Sequence, residues 1–574
     1  MIDYAALDGA IGHDWYELDP DLKARVARDC PPEDRDYTEA KLHDFGTLIG
    51  TRVATNAEVI DANPPRLERY DRWANEVDTV VHHPATLDSK QALWKSGYVS
   101  GFAKDEAERG RPSPGVVYAG TSYLLSQADT GLVCSLGMTG GVAGLVAAYA
   151  PPDVRDRLLA GLRADDLEHG TDGSMFLTER DGGSDLGRAV HCTARDIGDG
   201  RVLIDGEKWF CSNIDGAAIV MLARPEGAVE GPKGLGLYLV PRYLDDGAPN
   251  NYTMRRLKQK LGTKSVPTGE VEFDGALGYA LRGREAASSS DAGGLNRMME
   301  MVNGSRFGIA MMGLGIARRC FLDAVIWAHH RQAKGRYLVD LPLAREQLVD
   351  LQADLEASFA LGFECSAASR RADGARLRRI LIPTAKVRLC RFGIEAATMA
   401  IELHGGNGYC EDWHLTRQLR DAQCHTIWEG TDNICALDVL RSIRRDQAHH
   451  AAFDRIDSAL AAANDGPAFV AGAVQTVAEA RNKLEARIGK LDDLDADAAE
   501  AGAGRLTNLL ATTVSAALLL EQSVGNPRKA LVGMRYTRRH LNGGGWDDHI
   551  AEAAGRDILA HADISEAEAA RAAS

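Results

Sequence analysis

Residues 425–434 read His-Thr-Ile-Trp-Glu-Gly-Thr-Asp-Asn-Ile and set one carboxylate, Glu429, between an indole and a glycine. A Glu held against Trp428, with Gly430 letting backbone come close, is a candidate general base. Desolvation raises a carboxylate's pKa, which suits it to taking a proton from carbon. The plain alternative for this segment by itself is a salt-bridged or partly solvated Glu. Company elsewhere in the chain strengthens the chemical reading.

Leu177-Thr178-Glu179-Arg180-Asp181-Gly182-Gly183-Ser184-Asp185 combines two glycines with short hydroxyl side chains. Such a stretch lets N–H and O–H groups approach a flat polar ligand, although a simple turn after a strand has the same composition. In Glu207-Lys208-Trp209-Phe210-Cys211-Ser212-Asn213, Trp209 offers an aromatic wall beside small polar groups, or else a core indole. Arg331 and the Gln332-Ala333-Lys334-Gly335-Arg336 that follows close a long helix, where cations are ordinary dipole partners. Leu403-His404-Gly405-Gly406-Asn407-Gly408-Tyr409 is a glycine turn at which backbone could meet a pyrophosphate.

The elements that must carry these segments follow from periodicity. Residues 1–172 read as mostly helical, with a charged stretch at 101–111 and a Pro-Pro helix start at 151. From 173 to 285 short β-rich runs alternate with Gly, Asp and Pro, which predicts a small antiparallel barrel or sandwich. Helical spacing returns at Leu295 and holds to about 446, with Phe307, Met311, Leu314, Ile316 and Phe321 along one long helix over 306–331. An Ala-rich helical extension with an acidic patch at 492–500 occupies 447–574. The expected division is therefore 1–172, 173–285, 286–446 and 447–574, an α+β fold that is mainly α. It lacks βαβ alternation and a G-x-G-x-x-G after a strand, so a nicotinamide enzyme is disfavoured.

A chain of 574 residues exceeds one core. Its formal net charge of −16 argues against broad adhesion to phosphate backbones or anionic membranes. The 10 cysteines form no C-x-x-C pair and no zinc signature appears, so no metal is expected and the thiols read as packing residues of a cytoplasmic protein. The first residues, MIDYAALDGAIGHDW, do not form a signal peptide. Thr130–Pro152 carries no charged residue, yet its five glycines favour a buried helix over 136–150 above a membrane span.

Taken together, in this order, the five segments resemble the acyl-CoA dehydrogenase superfamily of flavoproteins over roughly residues 60–445. Asn63-Pro64-Pro65-Arg66-Leu67-Glu68-Arg69-Tyr70-Asp71, His82-His83-Pro84-Ala85, Ser135-Leu136-Gly137-Met138-Thr139 and the Trp before Glu429 are similar to its adaptive-response, AidB-type branch. The resemblance implies a helical domain, a β domain and a second helical bundle, followed here by the extension. It also implies bound FAD, an acyl-CoA substrate, an electron acceptor such as an electron-transfer flavoprotein, and a homotetramer.

Residue by residue, the resemblance makes Glu429 the base. It assigns Met175, Leu177, Thr178, Ser184, Trp209, Cys211, Ser212, Arg331, Gly405, Gly406, Thr431 and Asn433 to FAD. Ser184, Arg306, Trp428 and Gly430 are assigned to the substrate. Relatives that carry the base on the long helix place it directly before an Arg; here that position is Ser305, so Glu429 has no rival. Three positions depart from the family pattern: Cys211 replaces a Thr, Lys334 a Phe and Glu402 a Gln.

The leading expectation is α,β-dehydrogenation of an acyl-CoA by a flavoenzyme. Its alternatives are an alkylation-response flavoprotein that binds DNA and an acyl-CoA oxidase. DNA binding would need a basic surface, but residues 451–574 hold 13 Lys and Arg against 18 Asp and Glu. One local cluster, Arg528, Lys529, Arg535, Arg538 and Arg539, is expected to lie on a solvated or subunit-facing helix.

Overall fold

The computed structural model describes residues 1–282, 293–543 and 548–574. The expected boundary between 285 and 286 lies outside the described residues. The chain forms two compact units, each discontinuous in sequence: 52–113 with 129–308, and 1–51 with 114–128 and 309–574.

The first of these units is built around a β-barrel. Its N-terminal part holds a feature that the helical reading of 1–172 did not anticipate, a hairpin of β1 (Arg66–Tyr70) and β2 (Glu76–Val81). Seven more strands follow: β3 (Gly173–Phe176), β4 (Thr193–Gly198), β5 (Arg201–Ser212), β6 (Ala218–Pro225), β7 (Gly236–Pro241), β8 (Tyr252–Leu257) and β9 (Thr268–Ala280). Strands β4, β5, β9, β7 and β6 pair in a closed ring, and β8 adds to β9. The sheet is not wholly antiparallel, because β3 and β4 both run parallel to β6, one after the other along its edge.

The apolar run Ala218-Ile219-Val220-Met221-Leu222-Ala223 is explained by burial on both faces. Ile219, Met221 and Ala223 fill the barrel with Val202, Ile204 and Phe273. Ala218, Val220 and Leu222 pack outward on Met138, Val142, Leu145 and Val146. Those last four belong to the helix Thr130–Tyr149, which begins six residues earlier than expected. Its start is fixed by Asp129, whose carboxylate caps the Leu132 N–H at 3.0 Å and accepts from the Ser265 hydroxyl at 2.5 Å. This helix and Ala496–Glu521 are long and apolar enough to cross a membrane, and each is mostly buried within the fold.

The second unit is helical. The long helix Gly294–His330 enters it at Ile309 and packs on Gly374–His404. A Cβ on Gly313 would lie 2.6 Å from Leu389 O, so glycine is what lets the two backbones approach this closely.

The basic cluster on the helix Pro527–Leu541 departs from expectation. It lies within the fold rather than on a fully solvated face, because acids of the Pro342–Ala367 helix and of the chain termini pair with it, while Arg538 and Arg539 stay partly exposed. Arg528 donates to Glu356 at 2.7 Å, and Lys529 pairs with Asp21 at 2.5 Å and with Glu356. Arg535 meets Asp350 at 2.8 Å, Arg538 meets Asp548 at 3.4 Å, and Arg539 meets Asp354 at 3.0 Å. Burial of charge is tolerated when each cation finds its carboxylate, which is the case here.

Candidate active site

Each unit presents one part of the predicted set. In the barrel unit a turn follows β3, closed by Gly182 N–H donating to Glu179 O at 3.0 Å, with Gly182 at φ +124°. Thr178 is half-buried, and a Cβ on Gly183 would lie 2.4 Å from its hydroxyl oxygen, so that glycine lets the turn fold over Thr178. Beyond it Ser184 is exposed.

Beneath this turn lies an ion pair that the motif reading passed over. Lys208, wholly buried, donates to Glu179 Oε1 at 2.7 Å and to Leu177 O at 3.3 Å. The Glu179 carboxylate also accepts from the N–H of His191 at 2.6 Å and of Cys192 at 3.2 Å. The signal was legible in principle. Lys208 shares strand parity with Val202 and Ile204, both inward-facing, and an inward lysine demands a buried acid.

Directly after Lys208 the ladder slips. Lys208 faces Val271 and Cys211 faces Gly269, so β5 spends two residues where β9 spends one. This bulge turns Trp209 and Phe210 outward. Trp209 is half-buried rather than a core indole, and its main-chain N–H donates to Thr178 O at 2.9 Å, which joins the two motifs. Its ring carries Lys258 Nζ at 3.7 Å and the Arg180 guanidinium at 5.4 Å.

Past the bulge Cys211 returns to the barrel core, where burial pushes its thiol above the ordinary range. Met175 packs into the cluster between sheet and helix. The side chains of these two assigned contacts are thus spent on packing. Ser212 shares a hydroxyl bond with Thr268 at 3.0 Å, Leu177 is half-buried, and Arg306 is buried in the long helix.

In the helical unit Arg331 is the exposed residue just past the long helix. Behind it, β10 (Gln332–Ala333) and β11 (Arg336–Tyr337) form a hairpin with Lys334 at φ +51° and Gly335 at φ +74° at its tip. Lys334 is exposed at the first position of that two-residue left-handed turn.

His404 ends its helix stacked on Trp327 at 4.8 Å, and this pins the start of the glycine turn. Gly405, at φ +63° and ψ −139°, and Gly406 are exposed, with nothing within 4 Å of where a Cβ would sit. The donors there suit a group that must come close to bare backbone.

Glu429 lies between the helices Leu415–His425 and Asp432–Asp446. Its φ is +54°, uncommon for a residue with a side chain and typical of a strained functional turn. The carboxylate is half-buried rather than enclosed, as is Trp428, while Gly430 takes φ +105°. Lys386 spans the turn from below, donating to Thr426 O at 3.1 Å and Gly430 O at 2.6 Å. Thr431 then serves as N-cap of the Asp432–Asp446 helix without a side-chain cap bond, and Asn433 is exposed in its first turn. A 15-residue helix with an uncapped N-terminus suits a phosphate oxygen.

Comparison with known proteins adds an independent line. Three family models match: adaptive response protein AidB N-terminal domain over 9–168, acyl-CoA dehydrogenase middle domain over 174–276, and acyl-CoA dehydrogenase C-terminal domain over 292–444. AidB of Escherichia coli K12 is 33% identical over 441 residues, spanning 75% of this chain and 78% of that protein. Acyl-CoA dehydrogenase family member 11 of Caenorhabditis elegans is 30% identical over 446 residues, spanning 75% of this chain and 70% of that protein. The crystal structure of Caenorhabditis elegans ACDH-11 in complex with C11-CoA superposes with a TM-score of 0.86 at 27% identity, covering 94% of each chain. That coverage carries the likeness of fold past residue 444 into the helical extension.

Proposed function

Because the chain belongs to the acyl-CoA dehydrogenase family, we propose that it removes hydrogen across the α,β bond of an acyl-CoA thioester, with Glu429 as base. The observation that carries this reading is the left-handed Glu429 turn, fixed between two helices and spanned by the bonds of Lys386.

A thioester makes its α C–H acidic, and a carboxylate fixed in one geometry takes that proton far better than one that swings in solvent. The main-chain N–H of Glu429 polarises the thioester carbonyl and favours the enolate-like transition state. Arg306, Trp428, Gly430 and Ser184 bind and orient the acyl-CoA, and the Trp428 indole limits water around the base.

FAD, when bound, supplies the acceptor for the β hydrogen as hydride. Thr178, Ser184, Trp209 and Ser212 would hold its ring system. Arg331, Gly405, Gly406, Thr431 and Asn433 would hold its pyrophosphate, in an assembly of four copies. Each unit offers donors that fit part of such a group: the barrel unit an aromatic ring on a bulge, the helical unit two open glycines and an uncapped helix N-terminus. Electrons would pass on to a partner such as an electron-transfer flavoprotein, and the compartment we assign is the cytoplasm, whose reducing conditions suit its thiols.

Anaerobic bleaching of the bound flavin against a panel of acyl-CoA thioesters tests the proposal. Reduction by at least one thioester is expected, and extraction of the flavin should yield FAD. A flavin that no thioester reduces, or FMN in its place, would sink it.

A further inference from the structure

Lys386 is wholly buried in the Gly374–His404 helix, three residues beyond Pro383. A lysine is rarely buried to this degree, and when it is a carboxylate usually answers it. Here the ammonium donates instead to two main-chain carbonyls, those of Thr426 and Gly430, which bracket Trp428 and Glu429. The Cys435 thiol adds a bond of 3.6 Å to the same Gly430 carbonyl. His425, immediately before the turn, is fully buried with neither ring nitrogen partnered.

A left-handed backbone at a residue with a side chain persists where its surroundings over-determine it. Bonds from a charged donor to both ends of the turn do that, since such bonds are shorter and stronger than neutral ones. We infer that Lys386 is the positioning residue of Glu429: its ammonium clamps the carbonyls on either side and so fixes the direction of the carboxylate. The inference rests on the reading of Glu429 as base, while the clamp itself is a property of the fold.

The test uses the FAD-loaded protein. Lys386→Met keeps the length and apolar stem of the side chain but donates nothing. It should slow anaerobic bleaching by saturating acyl-CoA about 10²-fold, the order that a misplaced group costs, with KM within about threefold and the flavin spectrum unchanged. Amide exchange should quicken at 426–431 and stay slow along the Gly374–His404 helix. Lys386→Arg keeps charge and donors, and should recover about tenfold of the lost rate.

Bleaching of Lys386→Met at the parent rate would overturn the inference. So would exchange that quickens along the whole helix with no recovery in Lys386→Arg, which marks a packing residue. The exchange measurement needs no turnover. If Glu429→Gln bleached like the parent, the base reading would fall, and exchange at 426–431 would still decide whether Lys386 holds the turn.

Discussion

The Pro527–Leu541 helix and the turn at 426–430 bury positive charge in opposite ways. On the helix, Arg528, Lys529, Arg535, Arg538 and Arg539 each reach a carboxylate, so the charges cancel and the surface facing solvent keeps little of them. Under the turn a single ammonium meets carbonyl dipoles, and its work is to fix a strained piece of backbone. The first arrangement holds helices of one unit together. The second leaves a carboxylate aimed. Between these two places, dense charge marks the scaffold and a single charge the site.

The largest expected effect breaks the site side of the contrast. Glu429→Gln should retain FAD and lose about 10²–10⁴ in the rate of flavin reduction by acyl-CoA, the usual contribution of a positioned base. Stopped-flow absorbance reads this directly. Reduction at the parent rate would mean that the turn carries no base.

On the scaffold side, Glu356→Gln should cost about 3–5 kcal/mol of stability, because Arg528 and Lys529 would both lose a buried partner. Denaturant titration of parent and variant measures the difference, and reduction per folded, FAD-loaded molecule should be unchanged. A loss below about 1 kcal/mol, the range of exposed pairs, would show that these bridges behave like surface ones.

A smaller effect sharpens the comparison through pH. Burial, and then the Lys386 charge, push the His425 imidazole from 6.5 down to about 3. The unfolded chain takes up a proton below about 6.5 while the folded one does not, so the neutral ring's contribution is complete above that pH and is lost as pH falls toward 3. At pH 5 the deficit is about 2 kcal/mol. His425→Phe has no such proton to refuse and should lose less stability than the parent between pH 7 and pH 5. Equal losses in urea titrations at the two pH values would refute the assignment.

No effect at all is expected for nucleic acid. In a mobility-shift titration near physiological ionic strength, duplex DNA should show no submicromolar binding, since the basic cluster of the Pro527–Leu541 helix is spent on internal acids. Arg535→Glu with Arg538→Glu should lower the melting temperature instead. Submicromolar affinity abolished by that pair would turn the scaffold helix into a binding surface.

Much of the barrel and of the helices was legible because both follow from patterns among near neighbours. The run 218–223 announced a strand and the glycines at 405 and 406 an open turn, while Trp428-Glu429-Gly430 offered a candidate base. The hairpin at 66–81 was not legible, because its strands are largely exposed and give little apolar alternation to read. Nor was the start of the helix at Thr130, where the decisive cap bond comes from Asp129 and is backed by Ser265.

By itself the sequence determined which residue types were present to do chemistry and the periods of the elements that carry them. Tertiary structure alone decided where the buried cations went. Lys529 finds Asp21 at a separation of 508 residues, and Lys386 finds Gly430 at 44. It also decided that a bulge would turn Trp209 outward and that β3 and β4 would share one edge of β6. The physical reason is the range of the forces involved. Backbone propensity and amphipathic period are set within a few residues, whereas a buried charge is tolerable only beside its partner, and that partner is brought near by the fold.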